Sequence, residues 1–175
     1  MTKRKIDFTD YADAITKALP RGILLTTREG DKVNSMAIGW GTLGINWGRP
    51  VFAAYIRDSR YTKGLLDRTG EFTVNVPVGE YDKNIIAVCG RLSGRDTDKI
   101  AAAGLTTVPS EQIAAPGIKE FPLTLECRVI YAQRQELSAF SDPLGEKLYA
   151  PGPDGTRDMH TTYFGQILDA YIIED

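Results

Sequence analysis

Hydrophobic and polar positions alternate with a period of two through much of this chain, and residues 33–42 are the most informative case. Read as a strand, this segment puts Asn34, Met36, Ile38 and Trp40 on one face and Ser35, Ala37, Gly39 and Gly41 on the other, because successive strand side chains point to opposite sides. One face is bulky and the other nearly bare. A bare face admits a flat group close to the backbone, and it equally suits a sheet edge or a tight sheet–helix contact. The same period marks strands at 22–27, 51–57, 71–77, 121–133 and 161–173. In 71–77 the apolar side is Phe72, Val74 and Val76; in 121–133 it is Leu123, Leu125, Cys127, Val129 and Tyr131. Residues 28–31 form a turn, which makes 22–42 a hairpin. Helical spacing predicts helices at 10–19 (stopped by Pro20), 61–67, 81–88 and 97–103. Residues 44–50 read as a turn-rich loop. Residues 138–159, rich in Pro, Gly and Asp, read as a structureless loop of a length that is usually functional. Hairpin-linked strands with interposed helices predict a mainly β fold with added helices. A Greek-key antiparallel barrel fits this order better than a doubly wound sheet.

Composition narrows the function. With 175 residues the expectation is a single domain over 1–175, and 42% hydrophobic with 25% charged residues is ordinary for a soluble globular protein. A net charge of −2 offers no field for nucleic acid or an anionic membrane, so any anion site must be a local cluster of cations. No apolar run reaches membrane-spanning length. The basic start Met1-Thr2-Lys3-Arg4-Lys5 lacks a following apolar stretch, so a cytoplasmic location is expected. Cys89 and Cys127 do not make a disulfide framework. With His160 as the single histidine, there is no metal-ligand spacing and no metal is expected. A Gly-x-Ser-x-Gly elbow and a Gly-x-Gly-x-x-Gly dinucleotide fingerprint are both absent.

Two segments carry candidate chemistry. Arg57-Asp58-Ser59-Arg60-Tyr61-Thr62-Lys63 sits at a strand-to-helix junction. Ser59 is placed to cap the helix, and free helical N–H groups with adjacent Arg side chains suit a phosphate. A capped helix with solvated charges has the same composition. Cys89-Gly90-Arg91-Leu92-Ser93-Gly94-Arg95-Asp96-Thr97-Asp98-Lys99 joins two predicted helices. Gly90 ends the first, Asp96 or Thr97 caps the second, and the polar loop between could close over a ligand. Trp40 and Tyr55 could stack on a ring or fill a core. Asn75 faces away from Phe72, Val74 and Val76, either exposed or lining a pocket. His160 opens the last strand; a lone histidine is usually structural, and it is also the one candidate proton donor. Cys89 lies near Arg91, but nothing in the sequence lowers its pKa.

Several of these segments, in this order, resemble the flavin reductase-like family. They are Pro20-Arg21-Gly22, Asn34-Ser35-Met36-Ala37-Ile38-Gly39-Trp40-Gly41, Arg57-x-x-Arg60-Tyr61-Thr62 and Phe72-Thr73-Val74-Asn75-Val76-Pro77. Cys89-Gly90-x-x-Ser93-Gly94-Arg95-Asp96-x-Asp98-Lys99 and His160-x-x-Tyr163-Phe164-Gly165 follow. The resemblance is to flavoredoxin-type members with an FMN-binding split β-barrel, and it covers residues 18–173 apart from 138–159. It implies that Asn34, Ser35, Met36, Ala37, Trp40, Gly41 and Thr42 run beside the isoalloxazine ring. Arg57, Ser59, Arg60, Tyr61 and Thr62 would hold the phosphate. Cys89, Gly90, Ser93 and Lys99 would close over that end or the ring edge, and His160 and Tyr163 would approach from the last strand. It further implies a homodimer with FMN near the subunit interface and NAD(P)H or a small-molecule or protein redox partner as electron source or acceptor. A flavoredoxin-type electron carrier, a non-enzymatic flavin-binding module and a pyridoxamine-phosphate-oxidase-like enzyme are the alternatives. Nucleic acid and membrane partners are not expected.

Overall fold

The computed structural model describes residues 1–174. In chain order the elements are β1 (Thr2–Lys5), α1 (Ala12–Ala18), β2 (Ile23–Glu29), β3 (Lys32–Ile38), β4 (Gly41–Asn46), β5 (Arg49–Arg57) and α2 (Tyr61–Thr69). There follow β6 (Glu71–Val76), α3 (Lys83–Arg91), α4 (Lys99–Ala102), β7 (Thr107–Val108), β8 (Gly117–Ile118), β9 (Leu123–Arg134), α5 (Leu144–Leu148) and β10 (His160–Glu174). The large sheet runs β3-β2-β6-β9-β10-β5-β4, with β1 added along β10. Every pairing in it is antiparallel. The path is open, with β3 and β4 as its ends, so the barrel is split.

Period-two alternation builds the core. Leu25, Val74 and Leu125 are direct cross-strand partners, each fully buried, and apolar side chains opposite one another are the unit that holds a sheet together. The apolar side of β9 stays in the core through Cys127, with Val129 packed against it. Past Val129 the register against β10 shifts by one residue, so Tyr131 pairs with Phe164, stands on the side opposite core residue Tyr163, and is 43% exposed. Where β10 crosses Phe72, its residue is Gly165. A Cβ there would stand 2.4 Å from the Phe72 ring, so only glycine lets strand and ring come this close.

The structure corrects several boundaries. Segment 33–42 is not one strand. The chain leaves β3 at Ile38, passes through Gly39 and Trp40, and re-enters at the other end of the sheet as β4. Residues 44–50 are a hairpin rather than a loop. Trp47 and Gly48 both have positive φ, 51° and 69°, as a two-residue turn of this hand requires, and a tryptophan there carries no turn signal. Helix α3 continues through Gly90 to Arg91. Asp98, not Asp96 or Thr97, caps α4 by accepting from the N–H groups of Ile100 and Ala101. Residues 138–159 contain the end of a 3-10 turn, Leu137–Ala139, and helix α5.

Candidate functional site

Helix α2 starts directly after β5, and no side chain caps it. Its N-cap is Arg60 rather than Ser59, whose N–H and Oγ both donate to the Asp158 carboxylate at 2.8 Å. The first N–H groups of the helix are therefore left without a side-chain acceptor. The loop after α3 folds down on β3 and on this helix start. Gly94 makes that approach possible, since a Cβ there would lie 2.1 Å from Asn34 Oδ1 and 2.7 Å from the Tyr61 ring. Asn34, buried, donates from Nδ2 to Thr62 Oγ1 at 2.7 Å and so fixes the strand to the helix.

Between helix start and loop lies a cavity of about 140 Å³ whose walls include Arg60, Arg91, Arg95 and Lys99 and no carboxylate. Lys99 is only 5% exposed. Its ammonium donates to the Cys89 carbonyl at 3.0 Å, and among the described residues none of these four cations has a carboxylate in ion-pair range. Burial pushes the Lys99 pKa down, and Arg60 nearby pushes the same way. A buried ammonium without a counter-charge is costly, so this cavity suits an anion. Cys89 forms part of the wall, but burial raises its pKa despite Lys99. It is not an activated thiolate.

A second cavity, of about 190 Å³, shares Met36, Ala37 and Arg60 with the first and continues along Gly39, Trp40, Tyr55 and His160. Together the two fall in the size range of small-ligand sites. Gly39 has no neighbour closer than 3.6 Å to a would-be Cβ, which leaves this stretch of backbone open. Trp40 stacks tilted on the His160 ring at 4.8 Å. Arg57 also lines this cavity, but its guanidinium donates to the carbonyls of Asp158 at 2.9 Å and Leu148 at 3.4 Å. It braces the segment before β10 rather than entering the cation-lined cavity.

His160 belongs to a relay. Tyr149 Oη donates to Gln135 Oε1 at 2.8 Å and lies 2.7 Å from His160 Nδ1. The single tyrosine proton is used on Gln135, so Nδ1–H must be the donor to Tyr149, and Nε2 carries the lone pair. Burial, then Arg57, lowers the His160 pKa to about 4. The imidazole is therefore neutral near pH 7, which disfavours a cationic proton donor, the less favoured of the two sequence readings of His160.

The remaining expected residues divide. Met36, Ala37, Trp40, Arg60, Tyr61, Thr62, Cys89, Gly90, Ser93, Lys99 and His160 converge on the two joined cavities, and Ser59 and Arg57 stand at their rims. Ser35 is buried and accepts from Thr26 Oγ1 at 3.0 Å. Gly41 is bare because Phe52 fills the space, 2.6 Å from a would-be Cβ. Thr42 lies exposed on β4, away from both cavities. Asn75 is neither exposed nor pocket-lining. It is fully buried, donates to Thr26 and Thr73, and accepts from the Ile118 N–H and from Thr124. Tyr163 packs in the core, with its hydroxyl donating to Asp67. Tyr149, Gln135 and Asp158 gave no sequence signal beyond lying in or beside the long segment before the last strand.

Residues 16–175 match the family of flavin reductase-like domains. A protein of Archaeoglobus fulgidus is 33% identical over 128 residues, which are 73% of this chain and 70% of that one. Flavoredoxin of Desulfovibrio vulgaris (Miyazaki F) is 28% identical and superposes with a TM-score of 0.66, covering 87% of this chain and 69% of its own. The FMN-binding domain of a flavin reductases-like enzyme from Shewanella baltica is 15% identical with a TM-score of 0.66, covering 98% and 77%, and shares the fold.

Proposed function

The chain belongs to the flavin reductase-like family, and from that premise we propose that it is an FMN-dependent oxidoreductase. The observation that carries the choice of FMN is the carboxylate-free cavity of Arg60, Arg91, Arg95 and the buried Lys99. It asks for an anion at one end of a site whose other end is flat and aromatic. The Shewanella baltica relative is described as FMN-binding, and FMN has this shape and charge. Arg60, Lys99 and the start of α2 hold the phosphate. Met36, Ala37 and the open backbone at Gly39 border the ring, with Trp40 and His160 beyond. FMN supplies the redox chemistry, and the protein binds, orients and tunes it. Peptide N–H groups beside the ring favour negative charge there, and neutral His160 presents an acceptor at Nε2. Asn34 sets the distance between strand and phosphate helix through Thr62.

The donor is NAD(P)H or a reduced redox partner. The similarity to a flavoredoxin favours a second reading, an electron carrier without NAD(P)H activity. Rapid bleaching of bound FMN by NADH or NADPH in a stopped flow supports the reductase, and no bleaching supports the carrier. The same proposal includes a homodimer in the cytoplasm. Exposed Trp47 and Tyr131, their rings 5.7 Å apart and each 5.6 Å from Phe164, form an apolar surface suited to a second copy, and sedimentation reads the mass. No helix among the described residues is long and apolar enough to cross a membrane. Arg60→Ala should weaken FMN at least about tenfold and leave riboflavin, which has no phosphate, within twofold. Equal losses for the two flavins would remove Arg60 from the phosphate site.

A further inference from the structure

Past Trp40, the ring-end cavity opens into a separate cleft of about 550 Å³ that shares Gly39, Trp40 and Tyr55 with it. Its far wall is Phe140, Leu148 and Tyr149, and its one amide is Gln135. The segment carrying α5, in which the sequence shows no motif of its own, builds this wall. Gly145 packs so closely under Phe140 that a Cβ would lie 2.7 Å from the ring. Arg57 holds the Leu148 carbonyl, and Arg157 binds the Tyr149 carbonyl and Glu146.

The chemistry of the lining selects a ligand class. No charged side chain lines the cleft, and the guanidinium groups of Arg57 and Arg157, which brace its wall, are spent on carbonyls and a carboxylate. An anion entering here would lose water and find no counter-charge. The aromatic walls favour a flat molecule. Gln135 uses Oε1 to accept from Tyr149, while its Nε2 has no partner among the described residues. The hydroxyls of Thr16 and Tyr149 in the lining donate to the Ala12 carbonyl and to Gln135, so the free amide donor of Gln135 asks for a carbonyl oxygen, and a hydrocarbon would leave it unpaired.

We propose that this cleft binds an uncharged aromatic carbonyl compound, lying between Trp40 and the Phe140–Tyr149 wall with its oxygen on Gln135 Nε2. The role of such a compound as redox partner rests on the FMN reading above, but the binding itself does not. Equilibrium dialysis of three probes of one shape tests it: 1-acetonaphthone, 1-naphthoate and 1-ethylnaphthalene, each with FMN-saturated protein and with protein stripped of flavin. The ketone should bind at least about tenfold more tightly than the carboxylate and several-fold more tightly than the hydrocarbon. Gln135→Leu should erase the preference for ketone over hydrocarbon. Leu148→Arg, which puts a cation on the wall, should bring the carboxylate level with the ketone or ahead of it. Naphthoate binding as tightly as the ketone to the unaltered protein, or Gln135→Leu leaving the ketone preference intact, would overturn the proposal. Ketone binding without any FMN uptake would keep the cleft and remove the oxidoreductase reading. FMN uptake without ketone binding would do the reverse.

Discussion

Replacing Lys99 with Met separates the electrostatic logic of the anion cavity from its packing. Lys99 is 5% exposed, donates to the Cys89 carbonyl at 3.0 Å and has no carboxylate partner. Met keeps the unbranched stem and removes the charge. In the flavin-free protein two effects oppose. The lost hydrogen bond costs about 1 kcal/mol, whereas deleting an uncompensated buried charge relieves a desolvation penalty of several kcal/mol. The variant should therefore be more stable than the parent by about 1–2 kcal/mol, a rise in Tm of roughly 2–8 °C for a chain of this size. Binding should move the other way. Losing a charge-assisted contact to phosphate removes about 1.5–3 kcal/mol, or roughly 10–150-fold in the Kd for FMN, with riboflavin unaffected. The assays are a thermal melt of stripped protein and a fluorescence titration with each flavin. A lower Tm without flavin, or an unchanged FMN affinity, would refute the reasoning, because Lys99 would then be satisfied by the protein itself.

Two further outcomes follow from the same contacts. His160 has a pKa of about 4 in the fold against 6.5 in the open chain. The unfolded state thus takes up a proton that the folded state refuses, and the stability from the neutral ring is complete above pH 6.5 and is lost as pH falls toward 4. Linkage bounds the effect at about 3 kcal/mol. His160→Asn keeps a donor for Tyr149, so it should flatten urea-derived stability between pH 7 and 4.5; an unchanged slope would show that the ring is solvated. Asn75→Leu should cost about 2–4 kcal/mol in urea unfolding, since it strands the buried Ile118 N–H and removes the donor that Thr26 and Thr73 accept from, while the folded fraction keeps its FMN affinity within about twofold. A selective loss of FMN binding would return Asn75 to the site.

The two ends of the candidate site were unequally legible in the sequence. The cation-lined end was visible because its chemistry is local. A helix start with Arg60, Tyr61 and Thr62, and a short loop from Cys89 to Lys99, each carry their cations within a few residues. The bare strand was half legible. Ala37 and Gly39 do border the cavities, whereas Ser35 is bonded to Thr26 and Gly41 makes room for Phe52. An alternating pattern reports that a face is small, not what lies opposite it. Asn75 misled for the same reason: a polar residue facing away from one core can enter a second buried layer, here closed by Ile118 and Thr124.

By itself the sequence determined most of the long strands, their apolar faces and the local charge clusters, because period-two burial, helix spacing and capping act over a few residues. Only the tertiary structure decided which clusters meet. Strand order places β3 beside the start of α2, Gly94 lets the loop close on Asn34, and the segment before β10 brings Tyr149 and Gln135 to His160. These contacts join residues far apart in the chain. Burial without a counter-charge at Lys99 and the lowered pKa of His160 exist only once folding has taken water away from those groups.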